Sequence, residues 1–482
     1  MFQEILIRRV NVRKNLMKTD LAGYAGRLIW LSLLAACAPF GKQAPLQETA
    51  AYQLPQRPAG AAAAVARWWQ GLNDSKLNRL IDQALSRSPD LHAVQARLQQ
   101  AQALSGMTEA AGKTQIGLAV QGIGLYTSPK PASARLDTNH QVLLGHAALQ
   151  AGWVFDFWGK QREQTAAVLG QENALHYEAA HIGMMLANAV ATQYFAWQSL
   201  MQQQNLQRQR MAAADKSYRL LADRVAAGLM PADSLLPLEA ARLQLETELS
   251  TLAQQAEKAR HGLAVLAGMP PYELQNEQPN GNALAEPEIS DGLYADTLAS
   301  RPDIAAQKAL LESKFHLIKA TEAEFYPNIE LKLLAGLSHI DAFDVVRGRH
   351  ATTAGIAPAL HLPIFTSGAL QAKLAGKRAE YNEQVAVYDR TVLNAMRAVA
   401  DAAADYRYLK SRQALWQKML QTARKELQNA EARRKAGLDN GLNVLKKQDK
   451  LLALQMEFAR YRAERLAAWS NLNAQSGGGL QN

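Results

Sequence analysis

Ala227-Gly228-Leu229 recurs 209 residues later as Ala436-Gly437-Leu438. Each triplet closes a proline-free interval of 69 residues that opens on a glycine, Gly159 in one case and Gly368 in the other. At the same offset Leu266-Ala267-Gly268 lies over Gln475-Ser476-Gly477. Upstream, Ser88-Pro89-Asp90-Leu91 resembles Arg301-Pro302-Asp303-Ile304 at an offset of 213. A repeat that cannot bury its apolar face alone must pack against its copy, so the chain reads as one internally duplicated fold and not as a string of separate domains.

Each 69-residue interval reads as a single helix; at 1.5 Å per residue it extends about 100 Å, far beyond a usual globular helix. Such a helix needs partners along its length. Returning partners are expected over Asp233 to Ala267 and Gly441 to Ser476. Gly228 and Gly437 fit the left-handed residue of the intervening turns, with Pro231 and Asp233, or Asp439 and Asn440, completing the turn chemistry. Helix starts are expected at Pro89 and Pro302, where a first-turn proline is tolerated, preceded by Trp68-Trp69 and by Leu77, Leu80, Ile81, Ala84 and Leu85 at helical spacing.

Ahead of each long helix lie two strand-like segments, Gln115 to Tyr126 with Gln141 to Phe157, and a pair within 327–366. Ile329, Leu331, Leu333, Ala335 and Leu337 alternate with their neighbours, and Ile356, Leu360, Leu362 and Ile364 share one parity. Segments this long can cross an outer membrane, where about 9 to 11 tilted residues suffice; a soluble sandwich is the alternative. Four strands cannot close a barrel, and open edges in lipid cost several kcal/mol per unpaired group, so spanning requires several chains. The connections Thr127 to His140 and Asp341 to Ala351 read as surface loops.

Arg8, Arg9, Arg13, Lys14, Lys18 and Arg27 precede a short apolar run from Leu28 to Ala36 that ends at Cys37, the lone cysteine. That is the layout of an export signal, too short to span a membrane, with the start at Met1 or Met17. Leu34-Ala35-Ala36-Cys37 resembles a bacterial lipobox, which implies diacylglycerol on Cys37 and, with Ala38 following, the outer membrane. The expected division is 1–36 signal, 37–65 tether, 66–268 first repeat, 269–289 linker, 290–476 second repeat and 477–482 tail. The formal charge of +10 includes +4 from the first 36 residues, and no clustered basic stripe with aromatics supports nucleic-acid binding.

The lipobox, Trp68-Trp69, the Ser-Pro-Asp and Arg-Pro-Asp helix starts, Tyr326-Pro327-Asn328, Leu362-Pro363-Ile364-Phe365 and the paired Ala-Gly-Leu turns occur in the order of one family. Over essentially the whole mature chain the sequence resembles the outer-membrane efflux channel family, the TolC- and OprM-like lipoprotein channels. The resemblance implies an α+β membrane protein: a homotrimer with a twelve-stranded β-barrel continuing into an α-helical tunnel in the periplasm. It implies a passive conduit with no enzymatic activity and no cofactor beyond the lipid on Cys37. An inner-membrane pump and a periplasmic adaptor would be its partners, with Gly228-Leu229 and Gly437-Leu438 as the adaptor-contact turns. The exported cargo would be small molecules such as drugs, with aromatic or anionic compounds among them. Type I protein secretion, a periplasmic adaptor or a helical lipoprotein enzyme are the competing assignments.

Family members place acids on the returning helix where the tunnel narrows. This chain departs from them: Asn443 and Lys446 occupy the acidic positions, Lys447 and Lys450 follow, Asp439 and Asp449 remain, and Asp233 lies within one residue of the first-copy acid. A lysine ring at that aperture would favour anions; equally, Lys446 would face outward into water. His176 and His181 are five apart, off the spacing that sets two ligands on one helix face, and no phosphate loop or His-Glu-x-x-His occurs. Asp401 and Asp405 share a helix face without a visible base or metal partner and read as a solvated or lumen-facing stripe.

Overall fold

The computed structural model describes residues 45–56, 66–127, 140–280, 284, 288–289, 292, 294–339 and 351–478. The signal segment, Cys37, most of the tether and the two strand-connecting loops lie outside the described residues. Contacts divide the chain into two compact units, one comprising 101–171 and 310–385 with 45–48, the other 49–100, 172–309 and 386–478.

The first unit holds the sheet: β1 (Gln115–Thr127), β2 (His140–Phe155), β3 (Asn328–His339) and β4 (Ala351–His361), antiparallel in the order β1-β2-β3-β4. The expected strand pairs are present, but β4 stops at His361. Leu362 and Ile364 therefore fall beyond the ladder, because the partner strand β3 begins at Asn328, opposite His361. β2 likewise ends at Phe155, two residues before the expected Phe157. At Gly336 the neighbouring strand approaches so closely that a Cβ would lie 2.5 Å from the carbonyl oxygen of Ala147. No second layer of strands accompanies the sheet among the described residues, which removes the sandwich alternative.

The helices are α1 (Ser75–Arg87), α2 (Pro89–Ala111), α3 (Lys160–Ala226), α4 (Leu236–Leu266), α5 (Ala295–Ala299), α6 (Pro302–Ala323), α7 (Ala369–Lys435) and α8 (Gly441–Gln475). The two long intervals are α3 and α7, each 67 residues. The first return begins later than Asp233: Ala232–Leu235 form a 3-10 turn, and Pro237, which tolerates only the first turn of an α-helix, sets the start of α4.

In the second unit, hydrogen bonds and ion pairs order the helices α4-α3-α8-α7. Gln193 and Gln207 on α3 donate to the carbonyls of Ala259 and Leu245 on α4 at 2.9 Å each. Arg210 on α3 meets Asp449 on α8 at 2.8 Å, and Tyr461 on α8 donates to the Leu409 carbonyl on α7 at 2.6 Å. Trp68, Trp69, Leu77, Leu80 and Ile81 pack with Tyr194, Leu263 and Trp469 in the main core, where Trp68 meets Trp469 edge to face at 5.4 Å. Asp74 closes this core. It accepts from Lys76 N and Leu77 N at the start of α1, from the Tyr194 hydroxyl at 2.8 Å and from Asn280 Nδ2 at 2.7 Å. Burial and the neighbouring carboxylate push the Tyr194 hydroxyl pKa up.

The duplication extends to backbone geometry. The described glycines with positive φ are Gly159, Gly228, Gly268, Gly368, Gly437 and Gly477, three pairs each 209 apart. At the hairpin turns the geometry is the same in both copies: Gly228 N donates to Val225 O and Leu229 N to Arg224 O, as Gly437 N does to Arg434 O and Leu438 N to Arg433 O. This is a Schellman closure, which needs a left-handed residue at the glycine. Gly437→Val is expected to destabilise the α7–α8 hairpin by about 1–3 kcal/mol through left-handed strain. Faster hydrogen exchange of the Leu438 amide, compared with that of Leu229, reads this out.

Candidate functional site

The strand register divides the sheet into two chemically different faces. Leu118 pairs with Leu149, Leu149 with Ala335 and Ala335 with Ala354, so these four residues share one face. By the same register that face carries Ile116 and Val120 of β1, Ala147, Ala151, Trp153 and Phe155 of β2, Ile329, Leu331, Leu333 and Leu337 of β3, and Ile356, Pro358 and Leu360 of β4. Much of this face lies open: Ile116 is 69% exposed, Leu118 71% and Ile356 73%, while Ala147, Ala151, Phe155, Ile329, Leu331 and Leu337 are half-buried. The opposite face carries the polar residues Gln115, Gln121, His146, Gln150, Asn328, Glu330, Lys332, Thr353 and His361, with Ile123, Val154 and Leu334 among them. Lys332 and Glu330 form an ion pair there at 3.3 Å. An exposed apolar face this continuous is unfavourable in water and suits hydrocarbon, while the polar face suits an aqueous lumen. In β1 and β2 the contrast between the faces is weaker, because Ala and Gly occupy several of their positions.

Aromatic side chains gather at one end of the sheet. Trp153 and Phe155 lie 4.1 Å apart, Phe155 and Phe157 5.8 Å, and Trp158 stacks on Tyr326 at 4.6 Å while donating to the Pro327 carbonyl at 2.9 Å. Amphipathic rings in such a girdle mark the edge of the apolar band. Immediately beyond, Asp156 accepts from the backbone of Gln161 and Arg162 and caps α3, and Glu324 joins Lys160 near the start of α3 to Lys373 near the start of α7.

At the hairpin turns Leu229 and Leu438 are each 72% exposed. In a Schellman closure the residue after the glycine usually packs back on its helix; here both leucines face solvent. The residues around the second turn are heavily bonded. Asn440 Oδ1 accepts from Asn443 N and caps α8, while Asp439 accepts from Asn440 N at 2.8 Å and from Asn443 Nδ2 at 2.5 Å. The Asn443 hydrogen bond, followed by that from the Asn440 backbone, holds the Asp439 carboxyl below its ordinary pKa. Asp233 sits exposed in the 3-10 turn of the first copy, where no counterpart of this clamp forms.

The lysines of α8 have separate fates. Lys447 and Lys450 both reach Glu426 on α7, at 2.9 Å each. Lys446 is exposed and makes no ion pair among the described residues; it borders a cleft of about 590 Å³ with Leu442, Leu445, Arg210 and Asp449. Arg210 touches Glu248 of α4 at 3.6 Å as well as Asp449, so one guanidinium joins three helices. Sequence reasoning missed this node; its only signal is a basic residue in a glutamine-rich run. His181 has a depressed pKa, chiefly from burial, and no group of metal-binding side chains occurs among the described residues. Asp401 and Asp405 are exposed on α7.

A sheet with a hydrocarbon-facing side and a polar side, joined to paired long helical hairpins, defines a subunit of an outer-membrane channel. The family model described as outer membrane efflux protein matches residues 80–269 and 293–478, and the chain belongs to that family. Over 433 residues it is 27% identical to the multidrug resistance outer membrane protein MdtP of Escherichia coli K12, covering 86% of this chain and 87% of that protein. Over 466 residues it is 29% identical to the pyoverdine export outer membrane protein OpmQ of Pseudomonas aeruginosa, covering 94% and 97%. The solved outer membrane protein VceC of Vibrio cholerae matches with a TM-score of 0.74 and 27% identity, over 87% of this chain and all of that one. The protein is therefore an outer-membrane efflux channel, and its family is one of transport conduits.

Asn443→Ala is expected to return the Asp439 carboxyl pKa toward its ordinary value of 3.8. Because the folded-state pKa is depressed, the stability Asp439 contributes is present above the unfolded pKa and is lost as pH falls through the lower folded value. A carboxyl titration by NMR or infrared spectroscopy should therefore show a higher Asp439 midpoint in the variant than in the parent.

Proposed function

We propose that three copies of the chain close a single twelve-stranded barrel, and that their α3, α4, α7 and α8 helices close a tunnel through which small molecules leave the cell without any reaction on the way. The supporting observation is the uncovered apolar sheet face together with unpaired backbone on β1 and β4. In hydrocarbon those edges must pair, and β1 of one copy meets β4 of the next in a head-to-tail ring. Two copies would give eight strands, a barrel whose interior side chains fill it; three is the smallest ring with an aqueous lumen. The helical layer supports the same ring. Its flanking helices leave Leu236 and Leu243 on α4, and Leu393, Tyr408 and Leu415 on α7, exposed and available to a neighbouring copy.

Residues 1–36 act as the export signal, Cys37 carries the diacylglycerol anchor in the outer membrane, and 37–65 tether it to the fold. The turns at Gly228-Leu229 and Gly437-Leu438 dock a periplasmic adaptor, which couples the conduit to an inner-membrane pump that supplies the energy. One relative is named for multidrug resistance and another for pyoverdine export. Both names support a small-molecule cargo over a secreted protein. Asp233, Asp439, Asn443 and Lys446 line the periplasmic aperture, where the exposed, unpaired Lys446 favours anionic solutes.

In planar bilayers the detergent-purified trimer should conduct ions, and Lys446→Asp should shift the reversal potential toward cation selectivity. An unchanged potential removes Lys446 from the aperture, whereas a non-conducting monomer removes the channel assembly itself. Cys37→Ser should abolish labelling by radioactive palmitate and leave the signal segment uncleaved; retained labelling would place the lipid elsewhere.

A further inference from the structure

The two hairpin turns share a backbone but not a charge. Residues 223–239 around the first turn hold Asp223, Asp233 and Glu239 against Arg224, a net −2. The same window 209 residues later, 432–448, holds Arg433, Arg434, Lys435, Lys446 and Lys447 against Asp439 alone, a net +4. Arg433, Arg434 and Lys435 form the last turn of α7, all exposed and without an ion pair among the described residues. Of the neighbouring acids, Asp439 already accepts from Asn440 and Asn443, and Glu431, one turn before Lys435, is exposed and makes no ion pair among the described residues. A helix C-terminus favours cations, but α3 ends with Arg224 as the only base in its last turn, so three exceed what the same closure uses. Beside them stands Leu438, an exposed apolar residue with a cationic rim, the arrangement of a protein-contact point with its own polar border.

We propose that the two turns take chemically different parts of the periplasmic partner, and that the second takes an acidic segment, which seats an apolar side chain against Leu438 and sets carboxylates against Arg433, Arg434 and Lys435. A second copy of this chain cannot meet the turn with its own second turn, which would set the same +4 window against itself. In a trimer three such turns share one end of the tunnel. An acidic partner relieves their mutual repulsion, so docking and local charge neutralisation are one event. The proposal rests on the reading of these turns as the adaptor-docking end, and it makes the two turns of each subunit inequivalent to the partner.

The test uses the full-length protein in detergent and two synthetic helical hairpins, identical except for a Glu-Leu-Glu or a Lys-Leu-Lys tip, followed by fluorescence anisotropy. The acidic hairpin should bind at least tenfold more tightly at low salt, with the difference shrinking as salt screens exposed charge. Arg433→Glu/Arg434→Glu/Lys435→Glu should invert the preference. The corresponding triple Gln variant should erase it, and Arg219→Glu near the first turn should leave it unchanged. Equal binding of the two hairpins, or binding of neither, overturns the proposal. Export measured in the native host separates this from the docking reading. If Leu438→Asp stops export and the triple Glu variant does not, the turn docks a partner without using its charge. If neither variant affects export, both readings fail.

Discussion

Backbone amides and carbonyls at a sheet edge have no water to bond in hydrocarbon, and each left unpaired costs several kcal/mol. The rest of the molecule depends on that constraint. A four-stranded sheet in the order β1-β2-β3-β4 has two such edges, and the register places a largely apolar surface beside them. The sheet is thus incomplete as a folded object until β1 and β4 find partners in other copies. The helices repeat the problem in a milder form, since α4 and α7 flank a layer whose exposed apolar side chains face water and not lipid.

Duplication is the economical solution to building this twice-open subunit. Each copy supplies two strands, one long helix, a Schellman-closed turn and a return helix, and the positive-φ glycines mark the same three joints in both copies. Identical joints leave the side chains between them free to differ. At the turns that freedom has been used: the first is acidic and followed by a proline-set 3-10 turn, while the second is basic and followed by an asparagine cap. Whatever meets the two turns meets the same backbone with opposite fields.

Much of this was legible in the sequence because it depends on local chemistry. The proline-free intervals, the Ala-Gly-Leu turns and the alternation from Ile329 to Leu337 each report a backbone requirement that a single segment reveals. The end of β4 was not legible because the parity of Ile356, Leu360, Leu362 and Ile364 continues past His361, where the ladder stops for want of a partner residue before Asn328 of β3. Contacts across the duplication were not legible. Arg210 reaching Asp449, and Glu426 holding both Lys447 and Lys450, join residues whose meeting depends on helix packing and register. That pairing also explains why the lysine-rich start of α8 is not a uniform basic stripe: two of its three lysines are neutralised by α7, leaving Lys446 distinct.

The central claim is that β1 of one chain pairs with β4 of another. β1 and β4 of one chain are separated by three strand spacings, about 14 Å at roughly 4.8 Å each, beyond the reach of a disulfide. Cysteines scanned over 117–121 of β1 and 355–359 of β4 should therefore cross-link only between chains, producing dimer and trimer bands on non-reducing gels and nothing larger. A cross-link confined to monomers, or a ladder extending past three copies, would contradict the closed three-chain barrel.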